Sequence, residues 1–350
     1  MILGLFGGFS GIAAQSAAEG NCPDTQFTEW GMNGVVTPGD SNNVRAEPST
    51  SAEVVGRLDS SMPFNVVYES ATCADGYLWI EIINSTMAGW TVERPADGSA
   101  PFVVPFTPEP RPTGSSASDG SIVVEEDGIT FTVPAGLNVA EVTVLREIGL
   151  FGDVMGAQPS SLLFTLVDEA GDAIGTIQIF RYATASDSFE MGQDETLEMM
   201  LDEQPPLLLF SAKERMPQAP IAGAAALFGG AGAYVPFTTG TGVRYITLFA
   251  QDSVMFTPDL PFELLFRGLS DDRAFFIAAQ DFPVLIPEGA IPLDTGDIIY
   301  TDRYVPYLRE FEANLAAAPA SAFTPDLALF DALFGSLTIT DNEALSALIP

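Results

Sequence analysis

Not one of the 350 residues is a histidine, while 47 are aspartate or glutamate, so chemistry in this chain rests on carboxylates, hydroxyls, a few arginines and two cysteines. Without imidazole there is no Ser-His-Asp triad, no Cys-His dyad and no His-ligated zinc. Three acid pairs remain: Glu125 with Glu126, Asp271 with Asp272, and Asp294 with Asp297. Paired carboxylates hydrolyse glycosides when they converge across a cleft. Each of these pairs sits beside glycine or turn residues, so solvated turns are the preferred reading and no catalytic residue is assigned. The acids of Asp168-Glu169-Ala170-Gly171-Asp172 lack the ligand spacing of an EF-hand, and neither a metal nor a cofactor is assigned.

Only thirteen residues are basic, which makes their positions informative. Arg181, Arg244 and Arg267 fall within predicted strands, where a long cation must reach solvent or find a carboxylate. Structural ion pairs are the plain reading. A receptor for an anionic ligand is the sharper one, and Arg244 is the residue nominated for it. The formal net charge of -34 leaves no positive stripe for a phosphate backbone, which argues against nucleic acid as a partner. Tyr68, Tyr77, Trp79 and Trp90 are able to line a peptide groove, because aromatics bury much area at small entropic cost. The same residues also suit the interior of a small core. Trp79 is expected mainly inside and Tyr77 closer to solvent.

The elements that must position these aromatics lie within residues 43–92. Val54, Gly56 and Leu58, then Phe64, Val66 and Tyr68, then Trp79 and Ile82 form short apolar runs bounded by Pro, Gly, Asp and Ser, the pattern of small antiparallel strands. A sheet closed into a small barrel leaves few open edges for such strands. The residues run Asn43-Val44-Arg45-Ala46-Glu47-Pro48-Ser49-Thr50, then Val54-Val55-Gly56-Arg57-Leu58, Gly76-Tyr77-Leu78-Trp79 and Gly89-Trp90-Thr91-Val92. In this order they resemble a bacterial SH3-like (SH3b) domain, with its N-V-R-x-x-P-S-T, V-x-G-x-L, G-x-x-W and G-W-V segments. The resemblance implies an exported binding module with a groove for cell-wall peptide. Modules of this family are often joined to cysteine peptidases or zinc amidases, whose usual sites need the histidine that is missing here.

Cys22 and Cys73 flank or lie in this region, and an even pair in an exported chain reads as a disulfide. The other fate for Cys22 is lipid modification after signal removal, for which Glu19-Gly20-Asn21 is a poor lipobox. Residues 1–18 read as a signal peptide, with an apolar core and Ser16-Ala17-Ala18 as the cleavage site but no basic n-region, the first basic residue being Arg45. Residues 21–94 then carry the SH3-like barrel. Residues 95–120, with Pro101, Pro105, Pro108, Pro110 and Pro112 before Gly114-Ser115-Ser116, read as a linker.

Residues 121–340 are expected to form an α+β domain with a mainly antiparallel sheet and C-terminal helices. Glu125-Glu126-Asp127-Gly128 marks a hairpin with an Asp-Gly turn. Helices are expected over 186–203 and 302–318, and Thr324-Pro325-Asp326 caps a final one. Residues 221–235, rich in Gly and Ala and bounded by Pro220 and Pro236, read as a buried loop or short helix. Gly240-Thr241-Gly242-Val243-Arg244-Tyr245-Ile246-Thr247 together with Gly268-Leu269-Ser270-Asp271-Asp272 resemble a domain of uncharacterised exported bacterial proteins, which brings no known activity. The expected function is that of a non-catalytic, exported envelope or cell-surface protein binding cell-wall peptide or an envelope protein, with no transmembrane segment beyond the signal peptide. The rivals are a carboxylate-dependent wall hydrolase and a calcium-dependent adhesion protein.

Overall fold

The computed structural model describes residues 22–29, 32–60, 63–67, 69–84, 87–147, 160–182, 194–207, 225–293, 299, 301–341 and 345. Residues 1–18, Tyr68, Asp294 and Asp297 lie outside them, as does the first part of the helix expected over 186–203. The chain divides into two compact units, Met1–Thr107 and Pro108–Pro350.

In the first unit the strands are β1 (Asn33–Val36), β2 (Ser41–Arg45), β3 (Val54–Asp59), β4 (Phe64–Val66), β5 (Thr72–Ala74), β6 (Tyr77–Ile83), β7 (Ala88–Pro95) and β8 (Val103–Phe106). They pair antiparallel in the order β3-β2-β7-β6-β4-β1-β8, with β5 also on β6. The path begins at β3 and ends at β8, so among the described residues the ladder does not close into the expected barrel. The sheet curls instead, with Phe102 N just before β8 donating to Glu93 O of β7 (2.8 Å). Val44, Leu58, Phe64, Val66, Ile80, Ile82 and Val103 form its core. Alternation along β7 also buries Thr91 and Glu93. Glu93 is tied down rather than left bare: it accepts from Gln26 N (3.0 Å) and pairs with Arg94 (3.0 Å), anchoring the segment that leads into the sheet. Cys22 and Cys73 form the expected disulfide, with Cα atoms 5.9 Å apart. Glycine is obligatory at Gly89, where φ is 152° and a Cβ would lie 2.6 Å from the Arg45 carbonyl.

Residues 95–120 are not a free spacer. Val103–Phe106 pairs with β1, Arg111–Thr113 forms β9 on β13 (Glu141–Glu147), and Ser115–Ser116 forms β10 on β11 (Ile122–Glu126). Proline is compatible with β8 and β9 because both are terminal strands, where a missing N–H breaks no inner ladder.

The second unit continues with β12 (Ile129–Val133), β14 (Ser161–Val167), β15 (Ala173–Arg181), helix α1 (Asp194–Glu203), β16 (Ala225–Ala226), β17 (Gly230–Phe237), β18 (Gly240–Thr247), β19 (Phe249–Ala250), β20 (Glu263–Ser270), β21 (Phe275–Pro283), α2 (Tyr304–Ala317), α3 (Leu327–Gly335) and β22 (Thr338–Ile339). An eight-stranded antiparallel sheet runs β17-β18-β20-β21-β15-β14-β13-β9, a smaller one runs β10-β11-β12-β22, and β16 pairs with β19. The Asp127-Gly128 turn forms as expected, both residues at positive φ with Glu126 opposite Ile129. Asp326 caps α3 by accepting from Ala328 N (2.9 Å).

The central strands are buried on both faces. Ile246, Leu264, Phe266 and Ile277 join a phenylalanine-rich core with Phe311 of α2 and Phe330 and Phe334 of α3. Val243, Tyr245, Leu265 and Leu269 face the other way, against Leu197, Met200 and Leu201 of α1. This is why β18, β20 and β21 read as nearly continuous apolar runs. Gly242 fits because a Cβ there would lie 2.2 Å from the Phe266 ring, which stacks on Phe334. Within residues 221–235, expected as loop or helix, the described part forms strands β16 and β17; glycine and alanine simply carry no strand signal. Among the described residues no helix is long and apolar enough to cross a membrane.

Candidate functional site

In the first unit, cross-strand register places the nominated aromatics on one side of the β6–β7 ladder. Ile80 opposes Thr91, and Ile82 opposes Gly89, on the core side; Trp79 opposes Val92, and Glu81 opposes Trp90, on the outer side. Trp90 is half-buried, between Glu81 on β6 and Arg45 on β2. Trp79 is 1% exposed, yet it does not belong to the Ile80–Ile82 cluster. Its burial was expected, but it lies behind the sheet core rather than within it. Its indole Nε1 donates to Ala74 O of β5 (2.9 Å), which satisfies the buried donor. Tyr77 meets Trp79 edge-on at 6.4 Å and is itself half-buried, with Phe102, 37% exposed, at 6.5 Å. The result is a surface with Trp79 as its floor, Tyr77 and Phe102 on one flank and Trp90 on the other.

The loop between β2 and β3 is set by a carboxylate. Asp75 accepts from Ser49 Oγ (2.8 Å), Thr50 N (2.8 Å) and Thr50 Oγ1 (3.0 Å), so the Pro48-Ser49-Thr50 segment is fixed to the β5–β6 turn. The bond from Ser49, then those from Thr50, hold the Asp75 carboxyl below its ordinary value.

In the second unit Arg244 is not presented to a ligand. It is 5% exposed, pairs through Nε and Nη2 with both Asp331 oxygens of α3 (3.1 Å for Nη2), and donates from Nη1 to Ala231 O. It is thus a structural ion pair linking the sheet to α3. Arg267, also buried, donates to the carbonyls of Phe266 (2.9 Å) and Ala279 (2.8 Å). Arg181 lies 4.6 Å above the Phe275 ring and forks onto Asp341 (2.9 and 3.0 Å).

Neither of the two described acid pairs, Glu125 with Glu126 and Asp271 with Asp272, converges on a reaction centre. Glu125 is exposed, while Glu126 on the opposite side of the strand takes Arg111 and the Thr113 hydroxyl (3.1 Å). Burial draws Glu126 upward, but hydrogen bonds from Arg111, Asp127 and Thr113 outweigh it and hold its pKa below the ordinary glutamate value. Asp127 moves the other way: burial, then the neighbouring Glu126, raises it, offset in part by Arg146 and Arg111. Asp272 closes a turn by accepting from Ser270 Oγ (2.6 Å) and Ala274 N (2.9 Å). Asp168 does the same for Ala170 N (2.8 Å) and Asp172 N (2.9 Å). Among the described residues no group of three potential ligands is placed to hold a metal ion.

A cleft of about 430 Å³ opens where the segment after α1, the glycine-rich start of β17 and the side of α2 meet. Its described lining includes Gln204, Leu207, Tyr234, Ala316 and a single carboxylate, Glu312. Glu312 is 3% exposed and accepts from Gly229 N at 3.4 Å. Tyr234 donates its hydroxyl hydrogen to Pro205 O (2.9 Å), and burial raises its pKa.

No family model, curated protein or solved structure matches this chain. The geometry therefore carries the functional argument alone. Phe102 and Glu312 escaped the sequence reading. Phe102 stands 25 residues after Tyr77 in a proline-rich stretch, and only the return of the chain to β7 brings it near. Glu312 did leave a signal: an acid four residues after Leu308 and beside Phe311, on the apolar stripe of α2.

Proposed function

We propose that this chain is an exported, non-catalytic envelope or cell-surface protein whose first unit, a curled and open sheet carrying SH3-like sequence segments, binds cell-wall peptide or a protein partner. The observation that carries this reading is the outer face of β6–β7, where Tyr77, Phe102 and Trp90 surround the buried Trp79 while the aliphatic core occupies the other side. Partly exposed aromatics over a rigid, hydrogen-bonded floor suit extended peptide, since little side-chain freedom is lost on contact. The Cys22–Cys73 disulfide supports an oxidising location.

Pull-down on purified peptidoglycan tests the reading, with Tyr77→Ala and Trp90→Ala beside the parent protein. Retention is expected to fall by about tenfold in either variant, the loss common at aromatic contact residues. Urea melts of each variant separate loss of contact from loss of fold, because Tyr77 also packs against Trp79 and Phe102. Undiminished retention in the two variants would remove the assignment of this face.

A further inference from the structure

We propose that the outer face of β6–β7 binds a peptide segment carrying both an ammonium and a carboxylate, Glu81 taking the first and Arg45 the second, with Trp90 beneath the chain between them. This rests on the peptide-binding reading above and names the chemistry that the face selects. Three adjacent strands set the row: Trp90 of β7 stands opposite Glu81 of β6 on one side and opposite Arg45 of β2 on the other. Directly opposed residues project from the same face of a sheet. That face is the outer one, because Val44, Ile80 and Ile82, which flank Arg45 and Glu81 in sequence, belong to the core. All three side chains of the row are half-buried, so each keeps an accessible part.

The fold leaves both charges of the row available. Among the described residues the Glu81 carboxylate takes part in no hydrogen bond or ion pair; only its backbone is held, by Ser70 Oγ (3.0 Å) and Val67 N (2.9 Å). Arg45 donates one N–H group to Ala52 O (2.6 Å) and retains the rest of its fork. The other arginines of the first unit are engaged elsewhere, Arg57 with Ser41 Oγ (3.0 Å) and Arg94 with Glu93 (3.0 Å). A purely cationic guest would meet Arg45 and a purely anionic one Glu81, whereas a guest with both charges satisfies each. Strands lie about 4.8 Å apart, so the backbones at Arg45 and Glu81 are about 10 Å apart, the reach of about three extended residues. The planar peptide groups of such a span stack on the indole. Two sources carry this chemistry, the ends of a short free peptide or alternate side chains of a longer chain.

Isothermal titration of the full chain at low salt tests the proposal, with free trialanine and a doubly capped Lys-Ala-Glu peptide as the charged probes. Saturable binding of at least one is expected, and the tighter of the two assigns the source, trialanine to chain ends and the capped peptide to side chains. Removing the ammonium from the bound probe, by N-acetylation or by Gln in place of its Lys, should weaken it about fivefold, the upper end for ion pairs open to water. Removing its carboxylate, by amidation or by Gln in place of its Glu, should do the same. Glu81→Gln should weaken the charged probe equally yet leave the probe without ammonium unchanged, and Arg45→Gln should behave so toward the probe without carboxylate. Such crossing isolates each contact from any general effect on the fold. If Arg45→Gln does not fold, Glu81→Gln and the altered probes decide. Equal binding of a fully capped trialanine, or an equal loss in Glu81→Gln whether or not the probe carries its ammonium, would overturn the charge assignment while the face still binds peptide. Absence of binding by every probe overturns it too: alone if Tyr77→Ala and Trp90→Ala still lower retention on peptidoglycan, and together with the peptide-binding reading if they do not.

Discussion

Arg244 shows how a residue with two chemical readings is resolved by its neighbours. Its guanidinium is enclosed and forked onto Asp331, so its removal strands a carboxylate and the Ala231 carbonyl. Arg244→Ala is expected to cost about 2 kcal/mol of stability, the range for hydrogen bonds to charged groups, because Asp331 retains access to water. Urea denaturation checks this. Asp127 gives a prediction in pH. A carboxyl whose folded-state pKa lies above its unfolded value supports folding below the unfolded pKa and withdraws that support as pH rises through the folded one. Asp127→Asn should therefore gain stability relative to the parent as pH is raised from about 3.5 to about 7, the span of carboxylate titration. Asparagine also tolerates the positive φ at this turn. A stability difference that does not change with pH, measured by urea melts at several pH values, would show that Arg146 and Arg111 cancel the burial of this charge.

Elements were legible where local chemistry fixes them and obscure where it does not. The Asp127-Gly128 turn and the Asp326 cap need only a short stretch of chain, and both formed as expected. Strands β8 and β9 each carry a proline and pair with β1 and β13, far away in sequence, while β10 and the start of β17 are serine, glycine and alanine, which carry little strand signal. The side on which Trp79 lies follows plain alternation along β6, opposite Ile80 and Ile82, whereas its burial there comes from contacts with Ala74 and Tyr77 that only the fold supplies. The grouping of Tyr77 with Phe102 and the Glu312 cleft are likewise products of tertiary packing. At this scale the disulfide yields a prediction. It closes a separation of 51 residues and pins β5 to the segment before β1. Cys73→Ser should destabilise the first unit by about 4 kcal/mol on the chain-entropy estimate, read as a lower denaturant midpoint than that of the oxidised parent.

For the molecule as a whole, two electrostatic effects oppose each other. The described ion pairs favour the folded state, whereas a net charge of -34 repels itself when compact. The Glu93–Arg94 and Arg244–Asp331 pairs each have a buried member and are poorly screened, but long-range repulsion is screened readily. Raising sodium chloride from about 10 mM to about 150 mM shortens the screening length from about 30 Å to about 8 Å and should raise the melting temperature. A fall in calorimetry would mean that the pairs dominate.

The two-sided burial of β18 and β20 has a cost. Strands that serve as a shared wall leave the second unit with no expendable layer: lifting α1 away would wet Val243 and Leu265, on the reverse of the same strands that carry Ile246 and Phe266. Such a body tolerates wear only at its rims and gives way everywhere at once when its middle is breached.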